Sequence, residues 1–182
     1  MRARQRVTRG AAIGALLAYS GVVIALTMLK QFFRIGYLWD PAKQPFVGYS
    51  FIPFHEIFTA SSWFGTLFGY GGNLAFFIPV GLLLYVIFGR VKWATIVGGG
   101  FSLAIEAAQF FGQLGYTDVD DFIMNTVGAF VGATFARWCG PKMHRVWIGL
   151  TFAAVAVFIG LVLAGDSLSL IHISEPTRPR LI

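Results

Sequence analysis

The sequence predicts an all-α membrane protein of about five transmembrane helices, and three observations carry that expectation. Hydrophobic residues make up 57% of the 182-residue chain and charged residues 12%, against roughly 25% charged in an ordinary globular domain. A soluble fold of this length cannot hide so much apolar surface. The apolar residues gather into runs near the ~20 residues that one bilayer crossing takes. The basic residues then alternate between the connections that join those runs.

The first run, Ala11 to Leu29, follows Arg2, Arg4, Arg6 and Arg9. It is longer than the apolar stretch of a secretory signal, and no clear small-residue cleavage site follows, so an uncleaved first span is expected. Four further spans are expected at Gly71–Gly89, Trp93–Gly112, Phe122–Trp138 and Trp147–Ala164. Helices are favoured because backbone groups in lipid must be satisfied within each segment, and the alternation of a barrel strand is absent. Five crossings leave no room for a second globular domain, so residues 1–166 are expected to form one.

Charge placement orients the chain. Arg90 and Lys92 lie between spans two and three, and Arg137, Lys142 and Arg145 between spans four and five, on the same side as the N-terminal arginines. Gln113 to Asp121 has no Lys or Arg, and the long first loop has only Lys30, Arg34 and Lys43. The positive-inside bias therefore predicts a cytoplasmic N-terminus and an outer C-terminus. The net charge of +6 is an orientation signal, and no nucleic-acid partner is expected.

Two segments stand apart. The first loop, Gln31 to Tyr70, carries nine aromatics between Phe46 and Tyr70, which suits an interfacial or re-entrant segment forming a lid or a collar. The tail from Ser167, SLSLIHISEPTRPRLI, resembles translated sequencing adaptor and is expected to be non-native, and either disordered or arbitrary in structure. The single cysteine, Cys139, cannot form an intrachain disulfide and is assigned no role.

In so apolar a chain the polar residues at membrane depth are informative. Ser102, Glu106 and Gln109 are spaced to share one face of span three. Asp118, Asp121 and Asn125, continued by Gly128 and Gly132, make a similar stripe on span four, with Asp120 off it and expected to be solvated. Asn73 opens span two. Given the orientation, these side chains from three spans are expected to meet near the outer headgroup boundary.

Glu106 is the strongest single signal, because an acid at this depth costs about 2.5–3.5 kcal/mol on insertion scales and needs a partner, a proton or water. Its alternative role is interhelical glue to Ser102, Gln109 or Asn125. Asp118 and Asp121 fit either function or a helix N-cap with an acid in the first turn. Gly128 and Gly132, with Gly98 to Gly100, predict close packing of spans three and four. Pro79 predicts a kink in span two, and Gly71-Gly72-Asn73 predict a helix start that either caps or binds an anion. His55 and Glu56 are candidates to join the outer acids as metal ligands, for Mg²⁺ or Ca²⁺ before Zn²⁺ because the ligands would be oxygens, but no paired His or Cys spacing supports a closed site, and neither metal nor cofactor is expected.

These residues carry a resemblance. Asn73 to Gly81 (NLAFFIPVG), then Ser102-x3-Glu106-x2-Gln109, then Asp118-x2-Asp121-x3-Asn125-x2-Gly128-x3-Gly132 are similar to the signature of the VanZ-like family, with Phe51-Ile52-Pro53-Phe54 resembling its Ile-Pro-Phe element. The resemblance covers about residues 51–138. The chain departs from the family at Ser50-Phe51, where Asn is usual before Ile-Pro-Phe, and at residues 113–116, where an Arg often precedes the first Asp. It implies a multi-pass protein of the bacterial inner membrane, in a family named for an accessory factor in teicoplanin resistance.

The combined expectation is an outward-facing polar pocket for an amphipathic lipid, a lipid-linked envelope component or a glycopeptide. Glu106 and Asp121 are the candidate catalytic pair, and Asn73, Ser102, Gln109, Asp118 and Asn125 the candidate substrate-binding residues. The alternatives are a small proton-coupled carrier titrating at Glu106 and a non-enzymatic membrane partner subunit.

Overall fold

Long apolar runs become helix wherever no breaker interrupts them, and the turns fall where glycine or a polar residue reverses the chain. The computed structural model describes residues 2–28, 48–59, 63–113 and 116–173. In order these hold α1 (Arg2–Met28), β1 (Gly48–Ser50), α2 (His55–Thr59), α3 (Trp63–Phe88), α4 (Val91–Gly112), β2 (Tyr116–Asp118), α5 (Val119–Cys139), a 3-10 turn at Pro141–Met143 and α6 (His144–Ile173). The protein is thus an α-helical bundle. Four of its helical stretches are long and apolar enough to cross a membrane: Thr8–Thr27, Trp63–Phe88, Val91–Gly112 and Pro141–Ala164. α5 is absent from that set because its small and polar residues lower its apolarity.

The tight turns have local causes. Gly89, at φ 69°, stops α3 by taking a left-handed conformation that costs a glycine little, and its N–H donates to the Tyr85 carbonyl at 2.7 Å. α4 starts two residues later and runs back along α3. Gln113 closes α4 in the same left-handed way, its N–H donating to the Gln109 carbonyl. Gly140 at φ 73° followed by Pro141 ends α5.

α3 and α5 share the largest interface in the bundle, and α4 packs antiparallel against α5. Close approach of α3 and α5 depends on glycine. A Cβ on Gly128 would strike the carbonyl oxygen of Leu74, one on Gly132 that of Ile78, and one on Gly81 that of Ala129. The expected packing of the Gly128/Gly132 face on α4 is therefore corrected: that face packs on α3. Gly98 and Gly99 serve the α4 side, where added Cβ atoms would lie 2.6 Å from the Ala129 Cβ and 3.1 Å from the Thr126 hydroxyl. Around these contacts Tyr19, Val23, Phe77, Val80, Leu84, Ala94, Ile105, Ala129 and Ala133 form the main apolar core.

α1 and α6 flank the bundle, and large apolar side chains of α6 such as Leu150, Val157 and Leu163 point outward, as lipid-facing residues do. Pro79 lies inside α3 without ending it. One turn earlier the Tyr19 hydroxyl of α1 donates to the Phe76 carbonyl at 3.2 Å, an interhelix bond in the stretch that Pro79 loosens.

Three boundary expectations are corrected. α3 begins at Trp63, so Gly71, Gly72 and Asn73 are interior positions whose amides lie within a helix rather than at a capping or anion-binding start. Trp63, Phe64, Phe68 and Tyr70 consequently belong to α3 and not to the first loop. α6 continues through Ile173, past the expected span end at Ala164, because Gly165 to Ile173 contains no proline to stop it before Pro176. Lys30, Arg34 and Lys43 lie outside the described residues.

Candidate functional site

One end of the bundle gathers the polar side chains. β1 and β2 pair in parallel there, with Gly48 opposite Tyr116, Tyr49 opposite Thr117 and Ser50 opposite Asp118. This three-residue ladder joins the first loop to the α4–α5 connection and was not foreseen, since so short a strand has no periodicity to detect. It brings the segment around Phe54 over the start of α5.

Asp118 is where the ladder becomes helix. It is the N-cap of α5 in extended conformation, and its Oδ1 accepts the Asp120 N–H at 2.9 Å, so the capping expectation is met. Its own N–H donates to Oε2 of Glu106 on α4 at 3.0 Å. Glu106 is 7% exposed, and this bond ties it to the first turn of α5. One turn deeper, Asn125 Nδ2 donates to the Ser102 hydroxyl at 3.0 Å. Both contacts join α4 to α5.

The other acids face α3 and the loop. Asn73 Nδ2 of α3 donates to Oδ1 of Asp121, and both residues are half-buried. Asp120 is 1% exposed, which corrects its expected solvation. Its Oδ1 accepts the Phe54 N–H at 2.8 Å, and its Oδ2 accepts the Tyr70 hydroxyl at 2.5 Å. The far side of the first turn of α5 is covered by α3 and the Ile52-Pro53-Phe54 segment, a cover that no helical wheel of α5 alone reveals. Phe54 and Tyr70 were missed for the same reason; the signal for Phe54 was its place in the Ile-Pro-Phe element.

Gln109 points elsewhere. Its Nε2 donates to the Thr27 carbonyl near the end of α1 at 3.1 Å, so α1 also reaches the cluster. Three buried oxygens at this end have no hydrogen-bond partner among the described residues: Gln109 Oε1, Asn125 Oδ1 and Thr117 Oγ1. Such groups cost about 1–3 kcal/mol each when left unmet.

The expected cluster of Asn73, Ser102, Glu106, Gln109, Asp118, Asp121 and Asn125 thus gathers where the later part of α4 and the start of α5 meet the interior of α3, as a set of linked pairs. Among the described residues no three His, Cys, Asp or Glu side chains converge as a metal site. His55 is exposed near this end. What the arrangement offers chemically is a carboxyl group held by a backbone amide, amide oxygens able to accept, and a half-buried Asn73–Asp121 pair.

The model of the VanZ/LLP1 family matches residues 16–140, which takes in every one of these residues and the second half of α1. The chain belongs to the VanZ/LLP1 family. It is 35% identical over 95 residues to Protein VanZ of Enterococcus faecium, an alignment covering 50% of this chain and 55% of the relative. The chain therefore spans about half the length of that curated relative. No solved structure matches it. Family membership and the apolar helices together make this VanZ/LLP1 protein a multi-pass membrane protein.

Proposed function

We propose that this VanZ/LLP1 protein crosses the bacterial cytoplasmic membrane five times with its N-terminus inside, and that its outer polar cluster binds or processes an amphipathic envelope component or a glycopeptide. Two features support the topology. The basic residues Arg9, Arg90, Lys92, Arg137, Lys142 and Arg145 all belong to the end of the bundle opposite the acids. α5 runs beside α3 over its length, and its low apolarity suits a helix whose small-residue face is covered by a neighbour rather than by lipid.

The observation that carries the functional reading is that Glu106, bonded to the Asp118 N–H, and the Asn73–Asp121 pair share one end of α5 with buried amide oxygens that lack partners among the described residues. A ligand rich in hydroxyl or amide donors answers those oxygens. Glu106 acts as the proton-exchanging group and Asp121 as its partner at the rim, while Asn73, Ser102, Gln109, Asp118 and Asn125 receive the polar head.

The test is susceptibility to teicoplanin in a glycopeptide-sensitive Gram-positive host expressing the full chain, with lipid copurified from the same cells identified by mass spectrometry. Expression is expected to reduce susceptibility, and Glu106→Gln and Asp121→Asn are each expected to abolish that change while the purified variants melt as the parent does. Full retention of activity in both variants makes the cluster purely structural and overturns the reading. Proton flux into liposomes that depends on Glu106 transfers it to the carrier alternative.

A further inference from the structure

The opposite end of the bundle holds a cavity of about 840 Å³ that the polar cluster does not touch. It lies about 24 Å along α5 from Asp121, at ~1.5 Å per residue. Arg9 of α1, Arg137 of α5, Lys142 of the 3-10 turn and Arg145 of α6 all line it, and among the described residues no acidic one does. His144 lines it too, its ring edge-on to Tyr85 at 6.3 Å, and its buried Nε2 has no partner among the described residues.

The positive-inside bias explains why cations lie at this end; it does not explain why four of them surround one concavity. Helix dipoles sharpen the contrast. Arg137 sits in the last turn of α5, where a cation is favoured, but Lys142 and Arg145 flank the start of α6, where a cation is disfavoured and no acid is present. Four cations lining one concavity favour an anion there. Helix-start amides and Arg forks are the donors that phosphate oxygens accept from, and the volume falls within the ~300–1,000 Å³ of ligand sites.

We infer that this cavity is a binding site for a phosphate group, carried by an anionic lipid headgroup or free in solution, held by Arg9, Arg137, Lys142 and Arg145. Basic pockets between transmembrane helices are suited to such headgroups. The inference does not depend on the function proposed for the other end.

The full chain in phosphatidylcholine nanodiscs, doped stepwise with phosphatidylglycerol and read by native mass spectrometry, tests it. The parent is expected to retain phosphatidylglycerol over phosphatidylcholine. Arg137→Gln with Lys142→Gln is expected to weaken retention roughly tenfold, whereas Arg90→Gln with Lys92→Gln, at the same end but outside the cavity, changes it less than about twofold. Inorganic phosphate is added in a parallel arm. Displacement of the lipid assigns the site to phosphate from either source, and lipid retention without displacement assigns it to the headgroup; both support the site. Equal losses from the two pairs, or no anion preference by the parent in either arm, overturn it. Should the first pair misfold by circular dichroism, Arg145→Gln carries the same comparison.

Discussion

The backbone N–H of Phe54 donates to Oδ1 of Asp120 at 2.8 Å, across 66 positions of sequence. Phe54 holds a left-handed φ of 59°, which costs a non-glycine residue roughly 1–2 kcal/mol. Asp120 offsets that cost. It also accepts the Tyr70 hydroxyl, so one carboxylate ties the loop, α3 and α5 together. Asp120→Ala is expected to destabilise by about 1–3 kcal/mol, since two hydrogen bonds are lost and the Phe54 N–H is left unmet. Thermal unfolding of the detergent-solubilised chain measures it, and a loss near zero would show that the segment is held by other contacts.

Glycine packing between α3 and α5 gives a sharper contrast. Gly132→Ala drives a methyl into the Ile78 carbonyl, and relief requires the helix axes to move apart. A loss of about 1–3 kcal/mol or more is expected. Gly100→Ala, where nothing lies within 4 Å, is expected to be neutral or to gain up to about 1 kcal/mol from helix propensity. Equal melting temperatures for the two variants would contradict the interface.

Glu106 distinguishes shape from chemistry. Glu106→Gln keeps an oxygen that accepts the Asp118 N–H, so stability is expected to change by less than about 1 kcal/mol. Glu106→Leu removes the acceptor and leaves that amide buried, costing about 1–3 kcal/mol. Denaturant melts of both variants, set beside their activity, separate a bond that holds α4 to α5 from a group that exchanges a proton.

Asn73 and Asp121 form the pair between α3 and the rim of α5. A double-mutant cycle with Asn73→Ala and Asp121→Ala is expected to give a coupling energy of about 0.5–3 kcal/mol. The same cycle on Asn73 and Ser102, which have no bond to each other in this arrangement, serves as the reference and is expected to be nearly additive.

Helix existence, the gathering of basic residues at one end and the meeting of polar side chains from three helices were legible in the sequence. Apolar length, charge and spacing on a helix face are local quantities that a one-dimensional reading captures. The tertiary structure alone decided that Asp120 is buried, that Gly128 and Gly132 meet α3, that β1 pairs with β2, and that four cations frame a cavity. Each of those depends on which distant segment covers a given face. Periodicity tells which residues share a side of a helix, but what lies against that side is set by how the whole chain packs.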